Sequence, residues 1–254
     1  MLRTILFCLG LALVAARPAL AQSPQAPQPS GSAFRGYVSV NGGYQLAATD
    51  FTDGGATRLH VEDGRFDTTY VVKRGPAFDV SGGALLWRRL GVGAGISRFS
   101  VATPGALTAA VPHPFFFNRS RAISGEISGL TRDESAVHVQ ASVLLPVHPR
   151  IQVTLFGGPS FFQVKQGLVT GYTYADNYPY DEATFRSATT TTASESRMGF
   201  NAGADAAFFF TRNLGVGGMV RFAGVSIPLA GSDGTTETVK AGGTQAGGGL
   251  RLRF

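Results

Sequence analysis

Apolar and polar residues alternate with period two along much of this chain. The run 134–147 is the cleanest: Val137, Val139, Ala141, Val143, Leu145 and Val147 fall on one side, with His138, Gln140 and Ser142 on the other. Side chains of an extended strand point alternately to opposite faces, so such a run predicts a strand with one apolar face. The pattern recurs at 34–46, 76–87, 90–101, 151–165, 196–211, 214–229 and 239–254, which makes eight predicted strands. In 76–87, Phe78 and Val80 oppose Asp79 and Ser81. In 196–211, Met198, Phe200 and Phe208 oppose Arg197, Asn201 and Asp205. In 214–229, Val216, Val220 and Phe222 oppose Arg221, and in the last strand Leu250, Leu252 and Phe254 oppose Arg251 and Arg253. The phase slips near Arg98 and Phe99, which predicts a bulge or the end of the membrane-embedded part. Pro159 is expected to break its ladder and mark a second bulge.

The connections come in two kinds. Those at 88–89, 148–150 and 212–213 are very short, those at 47–75, 102–133 and 166–195 are long and polar, and 230–238 is intermediate. Within 47–75 only 66–73 suggests a short strand extension. Long and short connections in alternation are the pattern of an up-and-down transmembrane β-barrel, with tight periplasmic turns, long outer loops and an apolar outer wall. The fold class read from the pattern is therefore all-β, an eight-stranded antiparallel up-and-down transmembrane β-barrel. A soluble eight-stranded barrel would put its apolar face inward. Here that would leave an outer surface of mostly glycine with scattered charge, which argues against it.

Composition agrees. The 254 residues include 34 glycines and are 44% hydrophobic and 15% charged. No segment of the mature chain nears the ~20 continuous apolar residues of a spanning helix. Residues 1–21 read as a cleaved signal peptide: Arg3, an apolar middle from Ile5 to Ala16, and Ala19-Leu20-Ala21 before Gln22. Residues 22–33 form a Pro/Gln-rich periplasmic leader, and 34–254 the barrel. Cys8, the single cysteine, falls in the signal, so the mature protein is expected to carry neither disulfide nor thiol chemistry. Taking Arg3 and Arg17 from the 22 basic residues leaves 20 against 16 acidic, a net of +4. That mild, unclustered charge excludes nucleic acid as a partner.

The segments G-V-G-A-G-I-S-R-F-S, V-P-H-P-F-F-F-N, A-V-H-V-Q-A, F-G-G-P-S-F-F, G-F-N-A-G-A-D and L-G-V-G-G-M-V-R-F resemble the bacterial outer-membrane β-barrel domain family, similar in architecture to small OmpA/OmpX-type barrels. The resemblance covers 34–254. It implies a multi-pass barrel in the outer membrane, contact with outer-membrane lipids, and assembly by the barrel-insertion machinery through a closing strand that ends on Phe254. It brings no catalytic motif and no cofactor.

The bore of an eight-stranded barrel is just wide enough for side chains to fill. Asp79, His138, Gln140, Arg197, Asn201, Asp205, Arg221, Arg251 and Arg253 face inward by phase, and buried charges must be paired. The expectation is a polar plug in which Asp79 and Asp205 neutralise arginines, with Asp205 and Arg221 meeting at similar heights on adjacent strands. The same residues would line the bore of a small passive, porin-like pore, which is the alternative. In the long segments, Tyr172, Tyr174, Tyr178 and Tyr180 suit recognition of an extracellular protein or glycan, or simply extend strands five and six. Phe115, Phe116 and Phe117 are expected to fold back onto the barrel mouth. Their alternative is an apolar tip that touches a partner or lipid. His60, His113, His138 and His148 show no metal-ligand spacing, and no G-x-S-x-G elbow is present. A structural or interaction role is therefore the first reading and an outer-membrane lipid-modifying enzyme the last, with no catalytic residue, metal or cofactor assigned.

Overall fold

The computed structural model describes residues 35–46, 49–59, 61–230 and 236–254. The signal peptide, the leader, Phe34 and His60 lie outside the described residues. In chain order the strands are β1 (Gly36–Gln45), β2 (Thr49–Leu59), β3 (Glu62–Val72), β4 (Gly75–Trp87), β5 (Leu90–Ala102) and β6 (Gly105–Pro112). They continue with β7 (Ser120–Ile127), β8 (Thr131–His148), β9 (Ile151–Asn177), β10 (Glu182–Phe209), β11 (Leu214–Ala230) and β12 (Thr236–Arg253). Eight of them close an antiparallel barrel in the order β1-β12-β11-β10-β9-β8-β5-β4. These are the eight strands the alternation predicts.

The wall follows the period-two rule. Val137, Val139 and Val143 are exposed on its outside, while His138, Gln140 and Ser142 between them are buried inside. The narrow bore has room for these inward groups only where neighbours are small. A Cβ added at Gly203 would lie 2.6 Å from the Phe156 ring, so Gly203 gives that ring its place. The barrel closes where β1 meets β12, in register from Tyr37↔Arg253 to Gln45↔Gln245. Beyond the ladder, Phe254 donates its N–H to the Gly36 carbonyl and accepts from the N–H groups of Arg35 and Gly36.

Both expected bulges are absent. The β5–β8 register runs unbroken from Leu90↔Val143 to Ala102↔Thr131, with Arg98 out and Phe99 buried. Only the other reading of the slip survives: Arg98 is where the apolar outer face ends. The β8–β9 register is the same before and after Pro159, at His138↔Ser160 and Ala141↔Gly157. Proline brings no N–H to the ladder. Asn201, from inside the barrel, donates its side-chain amide to the carbonyls of Gly158 and Pro159 at 3.0 and 3.3 Å. Register does shift between Leu85 and Trp87, Pro146 and His148, Phe185 and Ser187, and Thr189 and Thr190.

The long connections are not loops. Two of them supply β2, β3, β6 and β7, which form a separate four-stranded sheet in the order β2-β3-β6-β7. The third is a hairpin, since β9 and β10 run 27 and 28 residues and stay paired out to Asn177 and Glu182. The β10–β11 ladder ends at Phe200↔Gly224, and the hairpin continues without β11. It packs instead against the inner face of the small sheet. Phe66, Tyr70, Leu107, Val111, Ile123 and Ile127 join Leu130, Leu168 and Val169 in one buried core, with Phe185 against it. A side chain at Gly125 would collide with the Phe185 ring, so close approach of β7 to β10 requires glycine there.

Candidate functional site

Two places concentrate polar chemistry: the barrel interior and the outer tip of the small sheet and hairpin. Near the short-turn end of the interior lies a cavity of about 30 Å³, room for a water molecule or two. Tyr37, Gln140, Gln152, Phe156, Asp205 and Arg251 line it. Arg251 embraces Asp205, its Nε 3.0 Å from both carboxylate oxygens and its Nη2 also on Oδ2. At mid-height Arg221, fully buried, donates Nη1 to Asp79 Oδ2 at 2.7 Å and lies 5.6 Å from the Phe156 ring centre. Asn41 donates to the other Asp79 oxygen at 3.1 Å.

The expected Asp205–Arg221 pair does not form. Arg221 reaches past β12 and β1 to Asp79 on β4, and Asp205 on β10 is taken by Arg251 on β12. Similar height on adjacent strands does not decide the pairing, because a bore this narrow lets a long side chain reach the far wall.

His138 is fully buried with a hydroxyl on each ring nitrogen, Ser97 at 2.9 Å and Ser160 at 2.7 Å. Asn201 bonds Ser160 and accepts from Gln140, which extends the chain of side chains across the bore. No face of the imidazole is open to a substrate. Toward the long-connection end the interior turns apolar. Ala136, Phe162 and Ala223 form one buried cluster, and Val164, Ile227, Leu229, Val239 and Ala241 form the next. Beside them Arg132 pairs with Glu134 at 2.6 Å, and Glu134 also accepts from the Gly242 N–H. Arg132 escaped the sequence reading because 102–133 was read as a loop, and Glu134, at the head of the 134–147 run, was passed over. The signal was present: Arg132, Glu134, Ala136, His138 and Gln140 share one phase.

Arg197 is a correction. It has the inward phase but is exposed, because it lies beyond the last β10–β11 pair, where the wall has already opened. Arg253 sits at the short-turn end, 3.9 Å from the Phe209 ring centre, with its Nε donating to the Arg212 carbonyl at 2.8 Å.

At the outer tip the aromatic residues divide. Tyr172 and Tyr174 are half-buried against the core of the small sheet, where they hold the hairpin down. Burial raises the pKa of both phenols above the ordinary tyrosine value, and Asp176 adds to the effect at Tyr174. Tyr178 is 88% exposed, and Tyr180 stacks edge-on between it and Phe115. Phe115, Phe116 and Phe117 do not fold back onto the barrel mouth. They stand exposed at the bend between β6 and β7, beside the β9–β10 turn. Buried Arg121 rivets these turns together, with Nη1 to Asp176 at 2.6 Å and to the carbonyls of Tyr180 and Glu182, and Nη2 to the carbonyl of Pro112. His113, also buried, accepts the Phe115 N–H on Nδ1 at 3.1 Å and has Asp181 3.9 Å from Nε2. Among the described residues no three of His, Cys, Asp and Glu stand together as metal ligands.

No family model matches the chain, and no curated protein matches it in sequence. Among solved structures it is similar to neisserial surface protein A, with 9% identity over 86% of this chain and 97% of that one and a TM-score of 0.42. It is similar to the outer membrane protein OprG from Pseudomonas aeruginosa, with 10% identity, 87% and 97% covered and a TM-score of 0.48. It is also similar to the outer membrane protease OmpT from Escherichia coli, with 8% identity, 87% and 97% covered and a TM-score of 0.43.

What places this chain in a membrane is its own wall. Large apolar side chains stand exposed all round the closed barrel, among them Val80 on β4, Ile96 on β5, Val139 on β8, Leu155 on β9, Val220 on β11 and Leu250 on β12. Water would penalise such a continuous belt, and lipid satisfies it. The ladder leaves no open edge within that belt. The chain folds as an eight-stranded membrane-spanning β-barrel.

Proposed function

We propose that this protein is a non-conducting outer-membrane anchor whose working face is the folded outer unit of β2, β3, β6, β7 and the β9–β10 hairpin. The observation that carries this is the filling of the bore. Three ion pairs, a chain of hydrogen-bonded side chains and two apolar clusters occupy it. An ion would have to displace buried, paired charge to pass. The outer unit has its own hydrophobic core, which a loop serving only to connect strands does not need. Its reading as a surface for an extracellular partner rests on the exposed aromatic tip. Insertion is proposed to use the closing strand and Phe254, since that residue completes the seam between β1 and β12.

Two measurements test this. In planar bilayers the purified protein is expected to give no stable open level; steady conductance would put the porin-like reading in its place. Deleting Phe254 is expected to lower the heat-modifiable protein in outer-membrane fractions more than it lowers export. Equal losses would remove the assembly role.

A further inference from the structure

The outer tip has a feature that protein recognition does not explain well. Phe115, Phe116 and Phe117 are consecutive in a bend and are 68%, 55% and 76% exposed. Consecutive residues of a bend fan outward, so a single pocket on a protein partner cannot take all three rings. Phe115 rests on Tyr180 and Phe116 on His113, which holds the fan open. Val61, 78% exposed, adds to it from the β2–β3 turn, tied alongside by Glu62, which accepts the Asn118 N–H at 2.7 Å. Tyr178 adds a ring from the hairpin side. The result is a convex apolar tip, not a groove.

Its two arginines are already matched. Arg119 pairs with Asp181 at 2.9 Å and lies 5.6 Å from the Phe116 ring centre, and Arg121 pairs with Asp176. A tip with paired charges fits an uncharged surface better than a charged one. An aromatic body with arginine beside it is also the composition of the membrane interface. Trp87 with Arg88 at 6.0 Å shows the same pairing at the other end of this molecule. The tip is rigid as well, since Arg121 and His113 fix both turns, so little ordering is needed on contact.

We propose that the 115–117 tip inserts into the interfacial layer of a second, apposed lipid bilayer of zwitterionic character. This deepens the reading of the outer unit as the working face. Conductance tests the barrel and vesicle binding tests the tip, so either can fail alone.

The test uses the whole protein held in nanodiscs, mixed with protein-free phosphatidylcholine vesicles, with empty nanodiscs as the blank. The protein is expected to co-sediment with the vesicles in both low and high salt. Phe115→Ser with Phe117→Ser is expected to reduce co-sedimentation by roughly tenfold or more, since two rings are lost from the apolar contact. Both positions are exposed, so heat-modifiability should stay normal and separate lost binding from lost fold. In a Trp87→Phe background, Phe117→Trp should shift its emission to the blue when vesicles are added and be quenched by brominated lipid. The proposal is overturned if the wild type does not co-sediment, if the double variant binds equally well, if the Phe117→Trp emission does not move, or if binding needs anionic lipid and disappears in salt.

Discussion

The wall of the barrel and the outer sheet obey one alternation rule in opposite senses. On β11 Val220 is 54% exposed and Arg221 is fully buried. On β3 Phe66 is 2% exposed and its neighbour Arg65 points to solvent. The local pattern of a strand fixes that its two faces differ, and the medium fixes which face goes where. Lipid takes the apolar face of the barrel and leaves the narrow bore to groups that must satisfy one another. Water takes the polar face of the outer sheet and drives its apolar face onto the hairpin. The two regions should therefore respond to different insults: the barrel interior to the loss of a charge partner, the outer unit to the loss of buried carbon.

The largest expected effect is at Asp79 and Arg221. Removing either partner of a buried pair leaves an uncompensated charge, which costs ~3–5 kcal/mol. Arg221→Ala and Asp79→Ala should each lower the unfolding midpoint in detergent micelles, and the double variant should lose less than the sum. Asp205→Ala combined with Arg221→Ala should be additive, because those residues belong to different pairs. Strong coupling between Asp205 and Arg221 would contradict the crossed pairing.

Next in size is Leu107→Ala in the outer core, where Leu107 is 1% exposed. Truncating a buried leucine costs ~2–5 kcal/mol. The loss should fall on the outer unit. Limited proteolysis should cut within β2, β3, β6 or β7 sooner, while the barrel stays heat-modifiable. If barrel and outer unit failed together, they would be one cooperative unit and the contrast between them would fall. Arg121→Ala should have a smaller and more local effect. Each charge-assisted bond it removes is worth ~1.5–3 kcal/mol at most. Proteolysis at 113–119 should rise, with less change in the sheet core.

The two regions were also unequally legible in the sequence. The barrel strands announce themselves because one face is lipid-apolar for their whole length and tight turns join them at one end. The outer strands carry the same period in shorter runs, Phe66-Thr68-Tyr70-Val72 on β3 and Leu107-Ala109-Val111 on β6. Threonine and alanine dilute that signal, and the partner face on β9 and β10 is remote in sequence. Of the interior site, the inward residues of regular strands were legible. Arg197 was not, since phase does not say where two neighbouring strands part company. The ion pairs were not either, since phase gives the face of a residue and not its partner across the bore. Arg121 lay in a segment read as a loop, and nothing in its immediate neighbours marks it as a rivet.

The smallest expected effect, and the one that separates the two regions most cleanly, is alkaline loosening at Tyr70. This residue is fully buried in the outer core, stacked on Phe51 with ring centres 4.7 Å apart, and its hydroxyl accepts the Val169 N–H at 2.8 Å. Burial pushes its phenol up to about 12, against a counteracting hydrogen bond from Val169 and with a further push from Asp53. The raised value means the folded form keeps its proton where the unfolded chain, titrating near ~10, has lost it. Folded stability from this group is therefore whole below pH ~10 and declines as pH rises from ~10 toward 12. Tyr172 and Tyr174 are shifted in the same direction and add to the slope. Protease sensitivity of the outer unit should thus climb between pH 10 and about 12. Tyr70→Phe should flatten that climb while weakening the unit by ~1 kcal/mol at neutral pH, because the Val169 N–H loses its acceptor. A climb of unchanged steepness in Tyr70→Phe would show that the alkaline response arises elsewhere, and that the outer core does not set its own stability.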